Sequence, residues 1–441
     1  MTIIDRFHAP HVLTQDAEDR WLSPGVVEVA QGTIRWVGAP ADAPEAADGE
    51  ELRDHHLDGV LIPGVVNTHA HTPMTLLRGA GEGLPVDRWL TEVMWPREAA
   101  LTEEDVAWGM RLGAAQLLAA GITTSVEMYF HPAGVATGAQ DAGLRAVVTP
   151  PVLIAPGLEH HGTWQEQLAT ALGLVDRFRD DPLIDIGLGP HSAYAVPEEP
   201  LRATIAAAVE HDLVLHIHVA EGEHEGDAIT AQHGVTVPRY LERLGAMGTH
   251  VLSAHSVWLT EDDLGLYAAN RVGVAHCASS NGKHASGLAP VRSLRAAGVP
   301  VGIATDGPAS HDRLDPFEEA RTAIRLARLR ERDAAALGPR DALRMLTREA
   351  TEALGRGDLG ALEAGRRADL VHVALGPELS PMVEPGDVLT HLIWSGSPSA
   401  VRDVWVEGRQ VVADGRVTTI DVEEAVAEVT TRARRLAAGA R

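Results

Sequence analysis

Eight apolar, strand-like runs alternate with helix-like segments between Val60 and about Gly307, and this alternation leaves few architectures open. The runs are VLIPGVVNTHAH, TTSVEMYF, RAVVTPPVL, IDIGLGPHSAY, LVLHIHVAE, HVLSAHSVW, VGVAHCAS and PVGIATDG. Between them lie segments such as TEEDVAWGMRLGAAQLLAAG. There Val106, Met110, Gly113 and Leu117 share one helical face, and Thr102 with Asp105 forms a start signal akin to a capping box. Such alternation over about 250 residues is the pattern of a (β/α)8 TIM barrel, an α/β fold. A doubly wound open sheet competes, but no Gly-rich phosphate loop follows the first strand.

The two ends read differently. GVVEVAQGTIRWVG is expected to form two short strands joined at Gln31-Gly32, and the polar stretch APEAADGEELRDHH reads as loop. Strand-like runs return at ADLVHVAL and at VRDVWVEGRQVVADGRV, the latter turning at Glu407-Gly408. Two β-rich ends around one long middle predict that the termini fold together. The expected division is 1–59 and 365–441 for the terminal unit, the latter with a closing helix, and 60–364 for the barrel.

A chain of 441 residues with 45% hydrophobic residues can bury a large core. Its formal charge of −25 argues against nucleic acid and anionic membranes as partners, and a homo-oligomer is compatible with it. Cys277 is the only cysteine, which excludes an intrachain disulfide and a thiolate zinc site. MTIIDRFHAP lacks the basic-then-apolar order of a signal peptide, and no apolar run approaches the roughly 20 residues of a membrane span, so a cytoplasmic protein is expected.

Polar residues recur where the eight runs end: His69 and His71 in the first, His191 in the fourth, His216, His218 and Glu221 in the fifth. His255, His276 and Asp306 follow in the sixth, seventh and eighth. In a TIM barrel these ends meet at the active-site mouth. A lone strand histidine is more often a hydrogen-bonded core residue than a ligand. His55, His56, His160 and His161, in polar stretches, are read that way, and His216 and His276 stay open. His69 and His71 lie on one strand face, because side chains repeat every two residues. With His218 and Asp306 they make a nitrogen-rich site suited to Zn²⁺, or Fe²⁺, with room for water. Zinc lowers the pKa of its bound water to about 7.

At PGVVNTHAHTPMTLLRGAGEGLP the chain strongly resembles the amidohydrolase superfamily, in the branch of S-adenosylhomocysteine and methylthioadenosine deaminases, guanine deaminases and triazine chlorohydrolases. The likeness continues through GPHSAY, HIHVAEGEHE, SAHSVWLTEDD, SNGKHASGLAPV, ATDGPASHDRLDPFEEAR and LGALEAGRRADLV. It implies a barrel inserted in a small β-sandwich made by both termini. It also implies His69, His71, His218 and Asp306 as ligands of one divalent metal. Bimetallic members commonly bridge their ions with a carboxylated lysine after the fourth strand, where this chain has His191; its only lysine is Lys283. By the same likeness Glu221 protonates a ring nitrogen of the substrate, His255 holds the attacking water, and Asp306 also accepts the water's proton.

Trp89, Glu98 and His191 match substrate-binding positions of nucleoside deaminases, with Glu98 on the ribose hydroxyls. The expected reaction is hydrolytic deamination of adenosine or a 5′-modified adenosine (methylthioadenosine, S-adenosylhomocysteine or aminodeoxyfutalosine type). The alternatives are another amino-heterocycle (guanine, pterin or cytosine analogue), a triazine, or a non-enzymatic scaffold. The scaffold predicts eroded ligand positions, and all four are intact. Two departures point to an altered tail pocket. Pro150-Pro151 stands where the S-adenosylhomocysteine enzymes tend to place arginine, and His284 stands where an apolar residue is usual.

Overall fold

The computed structural model describes residues 1–379, 381–382, 384 and 386–439. Each expected run contains a strand: Val65–Ala70 (β1), Ile122–Glu127 (β2), Arg145–Val148 (β3), Ile184–Ile186 (β4), Leu215–Val219 (β5), Val251–His255 (β6), Val272–His276 (β7) and Val301–Ile303 (β8). They form two four-stranded parallel sheets, ordered β4-β3-β2-β1 and β5-β6-β7-β8. Every residue of these strands outside β4 is buried. Burial on both faces is why the runs read as continuous apolar stretches without alternation.

Hydrogen bonds cross both seams between the sheets. At one, Leu188 bridges Leu215 and Ser192 bridges His218. At the other, the Asn67 amide and Thr305 exchange two bonds of 2.8 Å. There too the Asp306 N–H donates to the His69 carbonyl at 3.1 Å. The connecting helices start where the sequence signals them. Helix Glu103–Ala119 opens on the Thr102–Asp105 capping box and buries Val106, Met110, Gly113 and Leu117. Among the described residues, no helix is long and apolar enough to cross a membrane.

The first expected run, VLIPGVVNTHAH, is split in two. Gly59–Pro63 pairs with Leu370–Ala374 in a seven-stranded sheet built from both ends of the chain, and β1 begins at Val65. Gly64 sits at the break, where a Cβ would lie 2.1 Å from Thr123 Oγ1, so only glycine lets the strands cross there. A further four-stranded sheet joins Thr33–Gly38, Gly25–Ala30, Thr2–Ala9 and Glu50–His56. Phe7, Val27 and Ile34 from it share one buried cluster with Leu61, Leu370 and Trp405 of the seven-stranded sheet. Gln31-Gly32 and Glu407-Gly408 turn as expected, each with positive φ at both residues, the signature of a two-residue hairpin. The stretch read as loop does hold a strand. Glu50–His56 pairs in parallel with Thr2–Ala9, placing His55 and His56 on a sheet edge. Its residues are half-exposed or exposed, so no apolar periodicity marks it.

Arg145, on β3 and 1% exposed, ties the terminal sheet to the parallel one. It donates to both oxygens of Asp369 at 3.1 and 3.2 Å, to Glu407 at 2.5 Å and to the Pro182 carbonyl at 2.6 Å. Arg145→Met would strand Asp369, itself buried, without a counter-charge. The expected loss is about 3–5 kcal/mol of unfolding free energy, read as a lower denaturation midpoint in urea.

Candidate functional site

Three histidines, His69 and His218 on β1 and β5 and His71 just past the end of β1, point one nitrogen each at a common space. The ring nitrogens of His69, His71 and His218 lie within 4.8 Å of one another. His71 Nε2 is 3.4 Å from His218 Nε2, and Asp306 Oδ1 is 3.4 Å from both His69 Nε2 and His71 Nε2. Donors about 2.0–2.1 Å from one ion in tetrahedral array stand roughly 3.3 Å apart, so this spacing fits a divalent ion of zinc's size. His69 Nε2 is buried with no hydrogen-bond partner, a gap that a metal fills.

The opposite nitrogens fix the rings. His71 Nδ1 donates to the Met128 carbonyl at 2.5 Å, and His218 Nδ1 to the His191 carbonyl at 2.7 Å. His69 Nδ1 meets His216 Nε2 at 2.8 Å, His216 Nδ1 meets Thr149 Oγ1 at 2.8 Å, and the Thr149 hydroxyl reaches the Glu127 carbonyl at 3.1 Å. A carbonyl only accepts, so the Thr149 hydroxyl donates to it, His216 Nδ1 donates to Thr149, and His69 Nδ1 donates to His216. That chain leaves His69 Nε2 bare, the form in which an imidazole can bind metal. His216 thus belongs to the site as a support. His276 is buried at the end of β7 and does not line the cleft.

Electrostatics agree with the ligand role. Burial and crowded neighbouring rings push His69 down to about 4 and His191 to about 3, and hold His218 well below its usual value. His69 and His218 are thus neutral at pH 7, as an imidazole ligand must be, and His191 beside them is neutral too. Burial opposes the charge on Asp306, but the surrounding His69, His71 and His255 rings hold its pKa well below the carboxylate range. Cys277, close to His69 and His255, is pushed well up by burial and nearby carboxylates, so it stays a thiol and not a thiolate ligand. Lys283 pairs with Asp312 and donates to the Ala309 carbonyl at 3.2 Å, outside the cluster.

Glu221, His255, Trp89, Glu98 and His191 all line the cleft that opens on these ligands. Glu221 Oε2 lies 3.8 Å from His255 Nε2, and its backbone N–H donates to the buried Glu225 at 3.0 Å. His255 Nδ1 is held by Asn281 Oδ1 at 2.8 Å. Burial works against a charged His255, yet the Glu221 and Asp306 carboxylates and Asn281 outweigh it and raise its pKa. Glu98 is 2% exposed, its Oε1 has no partner, and burial lifts it to about 7 against the pull of the Tyr129 hydroxyl. Trp89 is fixed by Nε1 donating to the Ala80 carbonyl at 3.0 Å, and its ring lies 4.9 Å from His284. Tyr129, Trp95 and Tyr194 also line the cleft. Sequence reasoning passes over them, because an aromatic residue in a hydrophobic run carries no mark separating cleft wall from core.

The profile of the Amidohydrolase family matches residues 60–411. A 5-methylthioadenosine/S-adenosylhomocysteine deaminase of Syntrophobacter fumaroxidans is 38% identical over 95% of each chain. A 5′-deoxyadenosine deaminase of Methanothermobacter thermautotrophicus is 36% identical, over 89% of this chain and 91% of its own. The crystal structure of an adenosine deaminase from Xanthomonas campestris with bound zinc superposes with a TM-score of 0.93 at 35% identity, covering 98% of both chains.

The spacing of His69, His71, His218 and Asp306 suits one ion, and elemental analysis of metal-saturated protein should find one per chain. His216→Phe breaks the support of His69 and should weaken zinc binding by about 10- to 100-fold in competition with a chelator. Unchanged affinity would remove His216 from the site.

Proposed function

The chain belongs to the amidohydrolase family, and from that premise we propose that it is a metal-dependent hydrolytic deaminase of adenosine or a 5′-modified adenosine, releasing ammonia. The observation that carries the nucleoside reading is Glu98, a buried carboxyl group with an unpartnered oxygen in the same cleft as Glu221, His255 and the metal-ligand cluster. Two vicinal hydroxyls can both donate to one carboxylate. The names of the relatives support the same substrate class. We read the two parallel sheets, bonded across both seams, as one closed (β/α)8 barrel, and the two terminal sheets as a β-sandwich. The barrel occupies 60–364 and the sandwich 1–59 with 365–441, strand Gly59–Pro63 crossing between them. A small heterocycle is the partner in this reading; a net charge of −25 disfavours nucleic acid.

His69, His71, His218 and Asp306 would hold one Zn²⁺ or Fe²⁺ ion, which when bound brings the pKa of water toward 7 and so supplies a nucleophile at neutral pH. Trp89 and His191 line the place of the heterocycle, and Glu98 accepts from the ribose diol. Glu221 gives a proton to the ring nitrogen beside the amine-bearing carbon as water adds to that carbon. Asp306 takes the proton released by the water, and His255, oriented by Asn281, donates through Nε2 to the developing oxygen. A C–O bond forms and the C–N bond breaks. Of the two water protons, one replaces that lost by Glu221 and the other leaves in ammonia.

Glu221→Gln should bind metal normally and lose about 10²- to 10⁴-fold in kcat; near-normal turnover removes Glu221 from the mechanism. Adenosine or methylthioadenosine should exceed the 2′-deoxy forms and free adenine by about 10- to 100-fold in kcat/KM, a preference that Glu98→Gln abolishes. Because Glu98 is a full carboxylate only above about 7, this ribose preference should shrink as pH falls through 7. Preference for free guanine, pterins, cytosine analogues or triazines would overturn the nucleoside reading.

A further inference from the structure

A second cavity, of about 250 Å³, adjoins the cleft and shares Phe130 and Pro151 with it. Three imidazoles gather there: His131, just before helix Pro132–Ala142, and His160 and His161 in the turn Glu159–His161. The His160 and His161 ring centroids are 4.0 Å apart, and those of His131 and His161 are 5.2 Å apart. His161 stacks on Phe130 at 4.2 Å and 13°, so its ring extends a wall of the cleft. His161 Nε2 is buried without a hydrogen-bond partner, whereas His131 Nε2 is engaged by the Leu101 carbonyl at 3.1 Å.

We propose that this cavity receives the 5′ substituent of the substrate, and that His161, with His160 packed against it, selects an anionic tail by taking up a proton with it. The proposal rests on the nucleoside reading above. His161 lies beside the backbone of Glu98, and in any nucleoside the 5′ carbon lies close to the sugar diol. A diol held at Glu98 therefore brings the tail to the Phe130–His161 stack. In the free cavity an imidazolium is disfavoured: burial and the adjacent His160 and His131 rings hold His161 at about 4. The other facing groups change this little. The Glu98 backbone favours the charged form of His161 but is outweighed by burial, Glu103 and Asp105 act on His131, Gln167 and Thr170 are neutral, and the Glu159 carboxylate accepts from the Gly157 N–H at 3.1 Å. A carboxylate entering between the rings supplies the missing counter-charge, so anion and proton bind together and affinity rises as pH falls. A neutral tail gains nothing from acid.

The test compares kcat/KM for 5′-S-carboxymethyl-5′-thioadenosine and for methylthioadenosine, which differ only by the carboxylate, from about pH 8 to about pH 6. Their ratio cancels titrations common to both, including that of Glu98. The ratio should rise at least about tenfold toward acid in the wild type. That slope should vanish in His161→Phe, which keeps the stack and removes the ring nitrogens, and weaken in the more exposed His160→Gln. Isothermal titration in buffers of different ionisation enthalpy should also show proton uptake with the carboxylated tail alone. A ratio indifferent to pH, or a slope unchanged in both variants, overturns the proposal while the nucleoside reading stands. Turnover of neither compound overturns both.

Discussion

Everything at the mouth of the parallel strands depends on where three imidazoles send their second nitrogen. Each donates to a group from a different strand: Met128 after β2 for His71, His191 after β4 for His218, and His216 of β5 for His69. Backbone carbonyls hold their places because sheet register holds them, so the sheet dictates which nitrogen each ring presents. The relay from His69 through His216 and Thr149 to the Glu127 carbonyl extends this logic across β5, β3 and β2. The geometry of the three rings is thereby inherited from strand pairing, and an error of register would dismantle all three together.

The price of that convergence is strain at the strand ends. Ala220, His255, Ser256 and Asp306 all adopt left-handed backbone, with φ between 50° and 69°. For residues with side chains this is unfavourable by about 1–3 kcal/mol each, and it persists only where packing overdetermines it. The surroundings do so here. Asp306 is pinned by Ser280 Oγ at 2.6 Å, by the Gly307 N–H at 2.7 Å and by its own N–H on the His69 carbonyl. The Ser256 N–H is held by the Val219 carbonyl at 3.0 Å. Farther off, the buried Arg145 cluster keeps the terminal sheet clamped against β3, away from the rim where the chemistry sits.

The same physics decides how much of the molecule is legible in its sequence. The eight strands show because strands buried on both faces must be continuously apolar, so a histidine or aspartate at the end of such a run stands out. His69, His71, His218, His255 and Asp306 stand out in that way. The Glu50–His56 strand is invisible because an exposed edge imposes no pattern, and the break at Gly64 because one glycine in an apolar run looks like any other. His216 stays ambiguous because its role depends on Thr149, 67 positions away, whose hydroxyl gives no signal in a line of letters. Asn281 comes within reach only through its neighbours in SNGK. His160 and His161 are the opposite case: in their polar stretch they read as carrying no ligand role, and only folding gathers them with His131 beside Phe130.

Buried carboxyl groups around the site show how function presses on stability. Glu98 is lifted to about 7, and Glu225 and Glu319 to about 8, in each case by burial above all. Their usual value is 4.5, so between about 4.5 and 8 the folded chain binds protons that the unfolded chain has released. By linkage, these three groups favour the fold below that window and withdraw support as pH rises through it. Each is nonetheless placed where an apolar residue could not serve. Glu225 accepts the Glu221 N–H, Glu319 accepts the Ser279 N–H at the start of the short helix that carries Asn281, and Glu98 leaves an oxygen open to the cleft. A core built for stability alone would replace all three. Glu98 puts that constraint in the wall of the cleft and Glu225 and Glu319 put it on the supports behind, while Arg145 and the doubly buried strands supply the stability that offsets it.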